Sequence, residues 1–245
     1  MRAAIVIPAR DEDVTVGDVV RGARAAMPGA RIIVVDDASR DRTAERAGAA
    51  GADVLRLPGH AGYAGALRAG YREAITDPLD VLLQMDGDGQ HRPHDLPRLA
   101  DALAGHDLVL GSRFMGPSPG YRIPRLRRAG MAACRWMARE VGGLRLTDPT
   151  SGLRAMRPSL AARIADEGFP DGLTETSLMI HLHRAGFRIR EIPVIMRAGQ
   201  GRSMHAGIAG ATHLARISWV VMGQAAHRGD EALAPEAPAA PVART

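Results

Sequence analysis

The stretch DVLLQMDGDGQHRP, residues 80–93, runs an apolar segment straight into two carboxylates, Asp86 and Asp88. The apolar part, 80–86, reads as a short buried strand. Two negative charges at its end repel each other unless a cation lies between them. Alternate positions on an extended segment face the same way, so both carboxylates can address one ion. Hard divalent cations take oxygen ligands, and Mg²⁺ commonly uses one or two carboxylates together with substrate phosphates. Gly87 and Gly89 allow the tight backbone such a loop needs. A plain turn, with the Asp side chains capping the next helix, is the competing reading. A calcium EF-hand is excluded: with Asp86 as its first position, the twelfth is Pro97 rather than Glu.

Working outward, short apolar runs alternate with helical segments. Strands are expected at 3–8, 31–37, 52–57, 80–86 and 106–112, with helices over 14–27, 40–51, 64–75 and 93–105 between them. This alternation predicts right-handed βαβ units and an α/β, Rossmann-like, doubly wound parallel sheet with flanking helices. Ligands of such sheets bind beyond the carboxyl ends of the strands. Polar clusters fall there in turn: PARDE at 8–12, DDASRD at 36–41, DGDGQ at 86–90 and GSR at 111–113. Four clusters on one edge mark a site.

Composition narrows the chemistry. The chain has 245 residues, 46% of them hydrophobic, enough for a substantial core. Aromatic residues make up 3%, which argues against base stacking on an aromatic platform and against a nucleic-acid partner. The formal charge of +5, its basic side chains all Arg, favours an anionic partner, and the bidentate guanidinium suits phosphate. The single Cys134 excludes an internal disulfide and points to a reducing compartment. The opening MRAAIVIPARDE does not read as a signal peptide. No segment reaches the roughly 18 apolar residues of a spanning helix. Residues 207–223 come nearest, interrupted by His213 and Arg216. They read, within 205–228, as a helix lying in a membrane interface or packing on protein. The Ala- and Pro-rich tail 229–245 is expected to be disordered.

The motifs IPARDE (7–12), VVDDASRDRT (34–43), MDGDGQHRP (85–93), LVLGSRF (108–114) and DPTSGLRAM (148–156) together resemble family 2 glycosyltransferases. The similarity covers about residues 3–204 and is nearest to the dolichyl-phosphate or polyprenyl-phosphate mannose synthases. It implies a GT-A fold, a GDP- or UDP-hexose donor, Mg²⁺ or Mn²⁺, and inversion at the anomeric carbon. The hexose it implies is mannose, and the acceptor a polyprenyl phosphate; the alternative is a soluble or other hydroxyl acceptor. An acceptor of that kind implies peripheral attachment at the cytoplasmic face of a membrane, by lipid docking or on a membrane-spanning partner subunit.

The resemblance also assigns roles. Pro8, Ala9 and Glu12 line the nucleoside pocket, with Arg10 and Asp11 departing from the usual IPAYNE. Asp37 contacts base or ribose, with Asp36 beside it. The Gly59, Gly62 and Gly65 segment begins a helix beside the nucleotide, or else serves close helix–sheet packing. Asp86, Asp88 and Gln90 form the metal and diphosphate site. Arg113 and Arg127 bind the acceptor phosphate and, with Asp88, act in catalysis; Arg122, Arg125 and Arg128 lie close to Arg127 in sequence. Asp148, Ser151, Gly152 and Arg154 form the acceptor-side turn. Glu175 is an acidic helix-start position. Arg197, Arg202 and Ser203 reach phosphate, and Met204 replaces a frequent Lys.

Overall fold

This computed structural model describes residues 1–116, 125–166 and 175–197. Seven strands form one sheet: β1 (Ala3–Ala9), β2 (Arg31–Asp36), β3 (Asp53–Arg56), β4 (Val81–Gln84), β5 (Leu108–Ser112), β6 (Arg154–Met156) and β7 (Ile189–Pro193). Their order across the sheet is β3-β2-β1-β4-β6-β5-β7. All pairings are parallel except those of β6, which runs antiparallel between β4 and β5. Every residue of β1, β4, β5 and β6 is buried, as continuous apolar runs in a two-sided sheet require.

Among the described residues there are seven α-helices: α1 (Val16–Ala26), α2 (Thr43–Ala49), α3 (Gly62–Ala74), α4 (Leu96–Ala102), α5 (Arg125–Glu140), α6 (Pro158–Ala165) and α7 (Glu175–Arg184). Alternate strand residues feed two cores. Ile5, Ile7, Val34 and Leu83 meet α1 and α4 on one face. Ala4, Val6, Val35 and Leu82 meet α3, α6 and α7 on the other. α1 buries Val16, Val19, Val20 and Ala23, the i, i+3, i+4, i+7 stripe of an amphipathic helix. A third small cluster, Cys134, Met137, Ala138 and Ile180, joins α5 to α7.

Close helix–sheet packing falls to Gly70, inside α3. A Cβ there would lie 2.8 Å from Cγ2 of Val35 and nearer still to Val6. Gly59 and Gly62 have no such neighbour within 4 Å. Gly62 is needed for another reason: its φ of +78° is a left-handed conformation that side chains resist.

The expected strands are all present, and β6 is the departure. The resemblance implies a turn over residues 148–156, and Arg-Ala-Met, three residues without a β-branched side chain, gives no strand signal of its own. Tertiary pairing makes it a strand, with Ala155 opposite both Leu83 and Val109. The region 205–245, the Arg122 stretch before α5 and Arg202 lie outside the described residues. Among the described residues, no helix is long and apolar enough to cross a membrane.

Candidate active site

The chain builds β1, β2 and β3 outward in one direction, then returns to place β4 on the other side of β1. That reversal opens a crevice between the carboxyl ends of β1 and β4, the switch point where ligands of such sheets bind. Pro8 and Ala9 end β1, and the 86–90 loop follows β4. The two are in contact: a Cβ at Gly87 would sit 3.2 Å from the Pro8 carbonyl and 3.3 Å from the Ala9 Cβ. Thr15, at the start of α1, donates to the Gly87 carbonyl at 2.8 Å and ties the loops together.

Asp86 lies past the end of the ladder and is gripped from several sides. The Tyr63 hydroxyl donates to its Oδ1 at 2.8 Å, and Nε2 of His91 lies 3.2 Å from its Oδ2. Burial pulls this carboxyl up, but the His91 contact and charge, the Tyr63 hydrogen bond and the Arg154 guanidinium together hold it below its ordinary value. It is therefore an anion before any metal arrives. Burial, reinforced by the Asp86 charge, also keeps the Tyr63 phenol well above its ordinary value, so its hydroxyl stays a donor.

Asp88 sits on a turn rather than on an extended continuation of β4, contrary to the alternate-position expectation. Its Oδ1 accepts from the Gln90 backbone at 2.9 Å, an Asx-type turn that a short polar side chain favours. Gln90 is buried, and its carbonyl accepts from the Arg197 backbone at 2.8 Å. A bridge between His91 and Met196 runs alongside. The segment after β7 thus brings Arg197, whose residue is exposed, next to the acidic loop. Among the described residues, no three His, Cys, Asp or Glu side chains converge as a closed metal cage. Two carboxylates and an open side suit a hard cation that completes its shell with phosphate oxygens and water.

Asp37 caps α3. Its Oδ1 accepts from the Ala61 backbone at 2.6 Å, and its Oδ2 accepts from Gly62 at 3.0 Å and meets Nδ1 of His60 at 2.7 Å. Beside it, Asp36 is buried and takes Arg56 at 3.2 Å. Asp41, not Asp37, serves α2, accepting from the Thr43 backbone at 2.9 Å. Asp11 and Ala38 hold left-handed backbones at φ 54° and 56°, in the loops where the β1 and β2 ends meet. Such strain in non-glycine residues clusters at functional sites.

Glu12 is buried, with its backbone held by Thr43 at 2.8 Å. Burial pushes its carboxyl up to about 7; the Thr15 hydrogen bond opposes this, and the charges of Asp88, Asp41 and Asp86 add to it. The folded chain therefore holds this proton more tightly than the unfolded chain, whose carboxyl titrates near 4.5. The stabilisation is full below the unfolded value and is lost as pH rises towards the folded one. Melting in excess chelator should show wild type losing stability between about pH 4.5 and 7. Glu12→Gln, which cannot ionise, should lack that slope; an equal slope in both proteins would place the titration elsewhere.

On the acceptor side two expected phosphate contacts, Arg113 and Ser151, have partners within the protein. Arg113, expected on phosphate, is buried and committed to Asp148. Its Nε and Nη2 meet the two carboxylate oxygens at 2.5 and 2.6 Å, and Nη2 also reaches Thr150 at 2.9 Å. Ser151, likewise expected on phosphate, is buried and donates to the Gly111 carbonyl at 2.6 Å. Glu191 of β7 closes the arrangement, accepting from the backbones of Thr147 and Asp148 at 2.6 and 2.7 Å. These residues build the 147–152 turn, with Asp148, Thr150 and Ser151 all hydrogen-bonded within the protein. Arg127 lies in α5, and Glu175 opens α7 near enough to Tyr63 for its charge to act there.

The comparisons agree with this geometry. A model of glycosyl transferase family 2 matches residues 4–164. Undecaprenyl-phosphate mannosyltransferase of Micrococcus luteus is 33% identical over 229 residues, covering 89% of this chain and 94% of that protein. This chain belongs to glycosyl transferase family 2. Polyprenol monophosphomannose synthase of Mycolicibacterium smegmatis is 32% identical over 170 residues, 66% of this chain and 64% of that protein. In fold, the chain is similar to glucosyl-3-phosphoglycerate synthase of Mycobacterium tuberculosis, solved with Mn²⁺, UDP and glucosyl-3-phosphoglycerate. The TM-score is 0.68 at 21% identity, over 93% of this chain and 81% of that one. The architecture is the GT-A fold.

Within this family 2 glycosyltransferase, the surroundings of Asp86 were the least legible part of the sequence. Arg154 is 2% exposed, donates to the Ser151 carbonyl at 2.8 Å, and leaves Nη2 without a hydrogen-bond partner among the described residues. His91 likewise leaves Nδ1 without one. Tyr63 had no signal beyond its place in a Gly-rich stretch. Gly152 had one, the SGLR motif, and its reason is now steric: a Cβ there would lie 2.6 Å from Oδ1 of Asp86 and closer still to Oδ2. Gly152→Ala should displace Asp86 and lower transfer by about a hundredfold, the scale expected when a reacting group is misplaced by about 1 Å. Steady-state kinetics beside a circular-dichroism melt will check this, and unchanged turnover would show that Asp86 tolerates the shift.

Proposed function

We propose that this enzyme moves a hexose, with mannose preferred, from a GDP- or UDP-linked donor to a polyprenyl phosphate, inverting the anomeric centre. The observation that carries the reading is the placing of Asp86 and Asp88 at the β1/β4 switch point, with Gln90 and Arg197 joined beside them. The names of two relatives supply the acceptor class, since both join mannose to a polyprenyl phosphate. The solved neighbour holding Mn²⁺ and UDP supports a metal-assisted nucleotide-sugar donor.

Asp86, Asp88 and Gln90 would hold Mg²⁺ or Mn²⁺. The ion, when bound, offsets charge developing on the diphosphate leaving group. Pro8, Ala9 and Glu12 line the nucleoside end of the crevice, and Asp37 caps α3 at its side. Arg197 and Arg202 add positive charge along the diphosphate. An acceptor phosphate oxygen bonds to the anomeric carbon from the face opposite the diphosphate, whose own bond to that carbon breaks. The acceptor needs no general base, because a phosphate with a second pKa of about 6 is largely dianionic at neutral pH. Arg127 is the cation assigned to it. Arg113 and Ser151 act one step back, by holding the 147–152 turn. Residues 1–204 form the catalytic domain. Since a polyprenyl chain stays in its bilayer, we place the protein at the cytoplasmic face as a peripheral enzyme, docked through 205–228 or on a spanning partner.

The deciding experiment incubates the full chain and Mn²⁺ with a panel of sugar nucleotides against a short polyprenyl phosphate and soluble sugar acceptors. Mass spectrometry should show a hexosyl phosphate lipid. Product on soluble hydroxyls alone would overturn the lipid acceptor.

A further inference from the structure

Behind Asp86 runs a chain of hydrogen bonds in which every group has a fixed direction. The Tyr71 hydroxyl donates to Oε1 of Gln84. Nε2 of Gln84 donates to the Tyr63 oxygen at 2.9 Å. The Tyr63 hydroxyl, its lone pair so occupied, donates to Oδ1 of Asp86 at 2.8 Å. Gln84 is 0% exposed and Tyr71 2%, so water cannot substitute for either partner. Because the Asp86 carboxylate can only accept, the Tyr63 hydroxyl must donate to it; Gln84 must then turn its amide nitrogen to Tyr63, which leaves its oxygen to accept from Tyr71. The chain is anchored in β4 and α3, both rigid elements. Opposite it, His91 meets Oδ2 at 3.2 Å and Gly152 leaves the carboxylate its space.

We propose that Tyr63 is a positioning residue for the metal site: its hydroxyl, held in place by Gln84 and Tyr71 behind it, sets the Asp86 carboxylate in one rotamer before the ion arrives. The inference rests on Asp86 being a metal ligand. It assigns a role to residues 63, 71 and 84 that neither the acidic loop nor the acceptor turn supplies. Groups that orient a metal ligand through a hydrogen bond typically affect affinity by about 10- to 100-fold when removed. An ordinary buried tyrosine, in contrast, affects stability and leaves metal affinity alone.

The test is Mn²⁺ binding by the full chain, read by EPR of the free ion, alone and with GDP or UDP kept below the protein concentration. Tyr63→Phe should weaken Mn²⁺ binding by about tenfold or more while melting stays cooperative. Tyr71→Phe should weaken it less, and in the Tyr63→Phe background should add nothing, since Tyr71 would then have no route to Asp86. Wild-type affinity in folded Tyr63→Phe, or a Tyr71→Phe effect that persists in full in the double variant, would overturn the proposal. If wild type itself binds no Mn²⁺ under any of these conditions, the metal assignment of Asp86 falls, and this inference with it.

Discussion

Asp88→Asn is expected to cut transfer at least about a thousandfold while leaving the melting profile unchanged, a loss of roughly 4 kcal/mol of transition-state stabilisation. The fold should survive because the loop hydrogen bond that Asp88 makes needs no charge. Its Oδ1 accepts from the Gln90 backbone, and the amide oxygen of Asn can do the same. What Asn cannot supply is charge. With no third His, Cys, Asp or Glu converging among the described residues, losing one of the two carboxylates leaves the cation to Asp86 and the neutral Gln90. Initial rates at saturating Mn²⁺, beside melting by circular dichroism, would check this. Full activity of the variant, or of wild type in excess chelator, would remove the metal from the mechanism.

Asp148→Ala is expected to have the largest effect on stability, roughly 3–5 kcal/mol, because it removes one partner of a buried ion pair with Arg113. Asp148 is 0% exposed and Arg113 7%, and the carboxylate also accepts from the Arg113 backbone at 3.1 Å and from Thr150 at 3.1 Å. For a chain of this length that loss corresponds to a melting shift of roughly 10 °C. Replacing both partners with apolar residues of similar size should cost much less than Asp148→Ala alone, because no charge is then stranded. Arg113→Lys should be destabilised too, since an ammonium cannot reproduce the paired Nε and Nη2 contacts. Thermal melts of the three variants would test this order. A melting temperature unmoved by Asp148→Ala, with transfer lost, would return Arg113 to the acceptor phosphate.

The strands and the acidic loop were legible because their signals are local. Residues 3–8, 31–37 and 80–86 are apolar runs flanked by polar clusters, and a run of that length buried on both sides can only be a strand in an alternating βα pattern. The same pattern put Pro8, Asp37 and Asp86 on one edge of the sheet before any coordinates. The pairing of β6 was hidden because three residues with an Arg among them carry no periodicity. The role of Arg113 was hidden because an Arg after a strand looks the same whether it faces phosphate or a carboxylate 35 positions later in the chain. Seeing GSR alone, chemistry favours the ligand; only the folded chain reveals Asp148.

The sequence by itself determined the fold class and the sheet edge on which the polar clusters and the Asp86–Asp88 pair lie. Those follow from hydrophobic period and from charges placed at strand ends, both properties of neighbouring residues. Tertiary structure alone decided which polar groups find their partners inside the protein. It turned Arg113, Asp148 and Ser151 into the frame of a turn, and it set Tyr63, Gln84 and Tyr71 behind Asp86. A buried polar group must find its partner wherever the fold brings one, and that partner can lie at any distance along the chain.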